Sequence, residues 1–315
     1  MKELLRTGDP VRLSWLAALL AGENIEAVVF DTHMSFAEGS LAAIPRRLMV
    51  ADEDYEAARQ VLSEAGELEA DPGETADGLL GGRIALAQPA GGYRAAIDPV
   101  LLAASVPAAA TGRLLDIGAG VGAAALCFAW RAPGASVLGL ELQPELARLG
   151  QANVARNKMQ SRVAILHGDL LRPPGDITAE PFDHVIANPP YLPAARADAP
   201  PNPAKAAANV EGEAVLADWI GFALRMTRAK GAITLIHRAD RLDEILSLLH
   251  GRAGGIVVFP LWPKPGREAK RVLVRARPGL RAPMRLAAGL VLHQDDGAYT
   301  PEALAILRDG AALAL

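Results

Sequence analysis

The chain has 315 residues, of which 51% are apolar, 22% charged and only 4% aromatic, a mix that excludes a mainly disordered chain and leaves room for two domains. Its one cysteine, Cys127, excludes an internal disulfide, and six scattered histidines form no run spaced like a metal site, so no metal is expected and a reducing cytoplasm is the natural compartment. The formal charge of −4 conceals a division: six bases against sixteen acids leave residues 1–80 at −10 and the remainder at +6, which suggests a polyanionic partner for the larger part.

Residues 1–66 read as a small α+β unit. Asp9-Pro10 opens a helix with a capping carboxylate and a first-turn proline, and Gly22 closes it. Short strands fit residues 2–6, 25–31 and 47–51, and helical periodicity fits 52–65, giving the order βαββα. The apolar run at 16–22 is far short of the ~20 residues that cross a bilayer, and Glu3 and Asp9 interrupt the basic pattern of a secretory leader, so no membrane partner is expected. This stretch resembles a small bacterial domain described as signal-transducing, which implies a regulatory or recruitment module. Residues 67–80 are rich in acids and glycine with no base, the composition of a linker.

Over 81–315, β-rich pieces at 113–117, 136–141, 163–166, 183–188, 232–237, 256–259 and 271–277 alternate with helical patterns at 122–131, 144–157, 211–228 and 241–251. This predicts an α/β fold, a mostly parallel seven-stranded Rossmann-like sheet with helices on both faces and ligands at the carboxyl ends of its strands. The first strand runs into Gly118-Ala-Gly120-Val-Gly122, a turn whose backbone can approach a ligand closely. Asp116, two residues before the turn, would oppose a pyrophosphate but suits an ammonium. Glu141 ends the next strand, where a carboxylate can accept from two ribose hydroxyls or simply face solvent. Asp169 ends the third strand, placed either to receive an adenine amino group or to cap a turn. This set fits S-adenosylmethionine better than a nicotinamide dinucleotide.

The string Asn188-Pro189-Pro190-Tyr191 ends the fourth strand. Two prolines forbid ladder hydrogen bonds, so the string has little folding rationale. It does supply an amide oxygen and a backbone carbonyl as acceptors for a planar NH2 group, and a ring for a flat substrate. These residues resemble the N6-adenine and glutamine amino-methyltransferases. Within that group, Gly91-Gly-Tyr93-Arg94-Ala-Ala-Ile-Asp98-Pro99 is similar to the segment before the glycine turn in bacterial tRNA adenine N6-methyltransferases acting on valine tRNA. The resemblance spans roughly 80–315. It implies S-adenosylmethionine as donor and adenosine 37 of a tRNA as acceptor, with donor binding on the glycine turn and acidic strand ends and base binding on Asn188–Tyr191. A glutamine amide of a release factor, a guanine N2 of ribosomal RNA, and a non-catalytic donor-sensing module are the alternatives.

Tyr93 and Arg94 are further candidates for the donor site, while Asp98-Pro99 fits a helix cap as well as it fits a site. Cys127 reads as a small core residue, and His167, His184 and His237 have no nucleophile at a recognisable elbow. Eight bases and one acid lie between Trp262 and Arg285. Strand alternation puts Arg271, Arg275 and Arg277 on one face, beside Lys270, as a surface for RNA phosphates or a merely solvated outer strand. Residues 192–209 form an Ala/Pro-rich insertion that reads as either a flap over the substrate or a plain disordered insertion. The oligomeric state has no signature in the sequence.

Overall fold

The computed structural model describes residues 1–7, 10–23, 25–30, 46–52, 54–64, 74–89, 97–191 and 213–315. Tyr93, Arg94 and the insertion at 192–209 lie outside them. The chain divides into two compact units, Met1–Gly73 and Glu74–Leu315.

In the first unit, β1 (Lys2–Thr7), α1 (Pro10–Gly22), β2 (Ala27–Phe30), β3 (Arg46–Val50) and α2 (Tyr55–Glu64) follow the expected order. The strands pair antiparallel in the order β1-β3-β2. Leu13, Leu16 and Leu20 recur at helical spacing on α1 and bury against Leu48, Val50 and Leu62. Strand β2 is one-sided, with Val28 and Phe30 exposed.

The second unit begins with a hairpin, β4 (Glu74–Leu79) and β5 (Ile84–Pro89), paired antiparallel. Strand β4 falls where linker was expected. Its acids and glycine are used locally: Asp77 accepts from Gln88 Nε2 at 2.9 Å across the pair, and the turn Leu80-Gly81-Gly82 runs through positive φ. Next come α3 (Asp98–Ala104), β6 (Gly112–Ile117), α4 (Ala123–Arg131), β7 (Ala135–Glu141), α5 (Pro144–Arg156), β8 (Val163–His167), α6 (Gly175–Thr178) and β9 (Phe182–Ala187). Then follow α7 (Leu216–Met226), β10 (Thr227–Arg238), α8 (Leu242–Leu249), β11 (Ala253–Trp262), β12 (Arg271–Pro278), the short β13 (Arg285–Leu286) and β14 (Leu290–Val291), and α9 (Pro301–Asp309).

The seven long strands lie in the order β8-β7-β6-β9-β10-β12-β11, with β13 and β14 added along β11. Strands β8 to β10 are parallel, and β12 runs antiparallel between β10 and β11. Parallel strands buried on both faces need apolar residues at nearly every position, and the apolar tracts of β6, β9 and β10 meet that demand. One apolar cluster gathers α3, α4, α5 and α9 with the hairpin, the other α7 and α8. Cys127 is fully buried in the first.

Asn153 on α5 and Asn157 at its C-terminal cap tie the hairpin to that helix. Asn153 accepts from Ala87 N at 2.8 Å and donates to the Ala87 and Val121 carbonyls at 2.9 and 3.0 Å. Asn157, one turn on, repeats the exchange with Ala85 at 2.9 and 2.7 Å. Residues four apart share a helix face, so two side-chain amides satisfy backbone groups two residues apart on β5, as a neighbouring strand would. Among the described residues, no helix is long and apolar enough to cross a membrane.

Candidate active site

Chain order reverses between β6 and β9: β7 and β8 are laid down on one side of β6, β9 and β10 on the other. In such sheets the crevice at the carboxyl ends of the two central strands is the ligand site. Ile117 pairs with Ala187, so the glycine turn after β6 and Asn188 after β9 leave the sheet at the same level. A cleft of about 270 Å³ opens there, and Asp116, Gly118, Gly120, Glu141, Asp169 and Asn188–Tyr191 all line it.

The turn is held against β7 by Gly118 N and Ala119 N, which donate to the Leu140 carbonyl at 2.8 and 3.0 Å. Gly118 has φ +70°, and a Cβ there would sit 2.6 Å from the Trp219 ring. Gly120 has φ +55° and open space where a side chain would be, which leaves its backbone approachable. Glu141 is buried rather than solvated. Its Oε2 accepts from Gly120 N and its Oε1 from Gln143 N, both at 2.8 Å. Burial pushes its carboxyl up, and these N–H donors pull it back.

Asp116 is buried as well, and its Oδ2 accepts from Ala125 N at 3.2 Å. Burial first, with the nearby Glu141 charge adding to it, pushes this carboxyl up to about 7. Among the described residues it has no ion-pair partner, an arrangement that a cationic ligand would complete. Asp169 lines the cleft but also caps its own turn: Oδ1 accepts from Leu171 N at 2.8 Å and Oδ2 from Arg172 Nε at 3.1 Å. The turn-cap reading of Asp169 thus matches the geometry, in a residue that also faces the cleft. Leu142, 62% exposed, and Leu171, 37% exposed, form apolar walls beside these acids.

At the other end, Tyr191 does not swing free. Its hydroxyl donates to Asp98 Oδ2 at 2.6 Å and stands 2.9 Å from Asn188 Oδ1. Arg271 Nε lies 2.7 Å from the same Asp98 oxygen, and its guanidinium carbon 5.8 Å from the centre of the Tyr191 ring. Burial raises the Asp98 carboxyl, opposed by Tyr191 and Arg271. The imidazole of His237, fully buried, packs edge-on to Tyr191 at 5.6 Å and reaches the Pro190 carbonyl oxygen at 3.3 Å. Burial, with Arg241 nearby, lowers His237 to about 4, so it is neutral at physiological pH.

The structure decides between the two readings of Asp98. Ile97 occupies the cap position of α3, there is no side-chain cap bond, and the carboxylate is spent on Tyr191 and Arg271. It also breaks up the basic stripe expected for RNA. Strand β12 is interior, not an outer strand. Its first residue, Arg271, is part of the site, whereas Arg275 and Arg277 lie roughly 14 and 20 Å along the strand toward the opposite end of the sheet. Lys270 is exposed beside Arg271. Sequence reasoning missed Leu142, Trp219 and His237 in this site. An apolar residue directly after the acidic end of β7 was a usable signal for Leu142, while nothing local marks the other two.

Residues 95–199 match the family model described as "Methyltransferase small domain", and residues 1–66 match the model described as "Putative prokaryotic signal transducing protein". A tRNA1(Val) (adenine(37)-N6)-methyltransferase of Aeromonas salmonicida is 32% identical over 210 residues, 64% of this chain and 84% of that protein. A release factor glutamine methyltransferase of Geobacter sulfurreducens is 40% identical over 86 residues, 27% of this chain and 28% of that protein. Among solved structures, a predicted O-methyltransferase from Agrobacterium tumefaciens superimposes with a TM-score of 0.58 at 29% identity, covering 69% of this chain and 99% of that one.

Proposed function

Since the chain belongs to the tRNA1(Val) (adenine(37)-N6)-methyltransferase family, and is thereby a methyltransferase, we propose that it moves the methyl group of S-adenosylmethionine onto N6 of an adenosine in tRNA. One observation carries this reading: a single cleft joins the buried acids Asp116 and Glu141 to Asn188–Tyr191.

The cleft suits the donor on its own chemistry. Among the described residues no cation pairs with the buried Asp116 carboxylate, and the donor's ammonium would supply one. Glu141, fixed by two backbone N–H groups, retains lone pairs for ribose hydroxyls. Leu142 and Leu171 offer apolar faces to a purine, and Asp169 offers an acceptor at its edge. The Gly118–Gly122 turn gives the backbone room for close approach.

When bound, S-adenosylmethionine supplies an electrophilic methyl on a sulfonium sulfur. An exocyclic amine attacks poorly because its lone pair is delocalised into the ring. In the proposed mechanism Asn188 Oδ1 and the Pro189 carbonyl each accept one N–H of that amine, which lets the nitrogen pyramidalise. Those hydrogen bonds strengthen as positive charge develops on nitrogen, so they favour the transition state over the ground state. Positioning accounts for the remainder. As the N–C bond would form, the C–S bond would break with the sulfur leaving as a neutral thioether. The cationic methylated nitrogen, strongly acidic, would give its extra proton to water without a strong base. Neutral His237, behind Pro190 and Tyr191, supports the motif from within the core.

For the RNA, the segment after β11 at the same end of the sheet exposes Arg267 and Lys270, and these we assign to backbone phosphates beside the reacting base. Labelled S-adenosylmethionine with bulk tRNA tests the reading: digestion should yield N6-methyladenosine, and Asn188→Ala should lower turnover by about 10² or more. Label in a protein glutamine or in guanine would overturn it.

A further inference from the structure

We propose that Arg275, Arg277 and Arg285 form a seat for a phosphate group, free or carried by a small metabolite, at the end of the sheet remote from the cleft. The inference goes beyond the methylation reading and does not depend on it.

Strand register brings the three together. On β12, Arg275 and Arg277 stand two residues apart and so share a face, about 7 Å from each other along the strand. Arg275 lies opposite Val257 of β11, and Val257 lies opposite Arg285 of β13. Arg285 therefore rises from the same face two strands away, about 10 Å across the sheet, a span that two arginine side chains close when they converge on one ion. Val257, between them, is buried, while Arg277 and Arg285 are exposed and leave the set open to solvent.

The electrostatics of the set are incomplete. Among the described residues no acid pairs with Arg275, Arg277 or Arg285. Arg275 is half-buried, and its Nε is shut off from water with no hydrogen-bond partner. Its charge is disfavoured by burial first, then by Arg277 and Arg285. His184 also feels Arg277 and Arg275, but the acid beside it, Asp183, is already engaged: it pairs with Arg228 and accepts from Arg113 N at 2.8 Å.

Like charges on neighbouring strands repel, and a buried N–H without an acceptor carries its full desolvation cost. An oxyanion among the three side chains removes both penalties. Each guanidinium is a planar fork of N–H donors that matches phosphate oxygens in pairs, and a dianion offsets more of the set's charge than a carboxylate does. RNA is the less suited source. Phosphates beside the reacting base lie at the cleft end, roughly 14 to 20 Å along β12 from Arg275 and Arg277, and the shielded Nε admits an oxygen of a small ion more readily than one on a polymer backbone.

The test uses the full chain and two probes, inorganic phosphate and glycerol 3-phosphate, against chloride at matched ionic strength. In wild type, inorganic phosphate should raise the Tm by about 3 °C or more along a saturable curve. Arg275→Met, which keeps the apolar stem, and Arg277→Ala with Arg285→Ala, both at exposed positions, should each weaken that binding about tenfold or more. Phosphate also stabilises proteins by exclusion from their surface, but that effect does not saturate and is common to all variants. A second readout is direct: the Arg275 Nε–H signal, assigned by its loss in Arg275→Met, should move as wild type is titrated with phosphate. Saturable binding of glycerol 3-phosphate by the same arginines extends the seat to phosphorylated metabolites, and binding of inorganic phosphate alone restricts it to the free ion. Should Arg275→Met fail to fold, the double variant decides by its thermal curve. Equal stabilisation of wild type and variants, no saturable rise, or an unmoved Nε–H signal would each overturn the proposal. So would variants that lose tRNA affinity and salt dependence, which would assign these arginines to RNA.

Discussion

Replacing Asp116 by Asn should make the free protein more stable and a far worse binder of its donor, and the two effects have one origin. In the folded chain the Asp116 carboxyl titrates at about 7 rather than at its ordinary 3.8, because burial disfavours the charged form. A carboxyl whose folded value is raised binds more protons folded than unfolded between those two values, so stability falls as pH rises from about 4 to about 7 and stays low above. At roughly 1.4 kcal/mol per pH unit, the penalty approaches about 4 kcal/mol at pH 8 and is under about 2 kcal/mol at pH 5. Asparagine carries no charge at either pH, and its Oδ1 can keep the bond from Ala125 N. Urea denaturation should therefore place Asp116→Asn above wild type by a few kcal/mol at pH 8, with the gap falling to less than half of that at pH 5. Calorimetric titration with S-adenosylmethionine should show the variant weaker by at least about tenfold, the usual loss for a charge-assisted hydrogen bond. Wild-type affinity should itself decline below pH 7 as the carboxyl protonates. A variant less stable than wild type at pH 8, or a stability gap equal at both pH values, would refute the account of Asp116 as a strained, ligand-awaiting carboxylate.

Asn153→Ala leaves the buried N–H and C=O of Ala87 without their side-chain partner, so stability should fall by about 3 kcal/mol, with faster amide exchange at Ala85 and Ala87. Leu142→Asp, at a position 62% exposed, should leave the Tm within a degree or two of wild type while lowering donor affinity about tenfold in the same titration, through loss of an apolar wall. Arg267→Ala with Lys270→Ala should weaken tRNA binding and reduce the slope of log affinity against log salt by about two, whereas Arg275→Ala with Arg277→Ala should leave that slope unchanged.

The central sheet was legible because burial on both faces demands long apolar tracts, and tracts such as Leu114–Ile117 and Ile233–Ile236 leave no alternating pattern to misread. Strand β4 was hidden for the opposite reason. It sits in a two-stranded hairpin, where acids and glycine are tolerated, and its composition matches that of a linker. The alternation in β12 correctly placed Arg271, Arg275 and Arg277 on one side and buried Val272, Val274 and Ala276 on the other. A period of two says which face a residue takes, however, not which end of the sheet it reaches. That depends on strand direction, which only the pairing with β10 and β11 reveals, and it separates Arg271 from its two neighbours.

Asp98 marks the limit most sharply. Asp followed by Pro is what a helix start looks like locally, and α3 does start there. What sets its role is a hydroxyl 93 residues later and a guanidinium 173 residues later, brought together because β9 and β12 end and begin at one edge of the same sheet. The partners carry complementary local oddities, a tyrosine thrown out beyond two prolines and an arginine opening an interior strand. A local reading puts the tyrosine in the base-binding string and the arginine on an RNA-facing or solvated strand, and does not join them. Together they set a hydroxyl and a guanidinium against a carboxylate whose burial alone would be costly. This end of the cleft is thus assembled from three segments, of which only Asn188–Tyr191 announces itself locally, and the places of Asp98 and Arg271 beside it follow from the sheet that joins them.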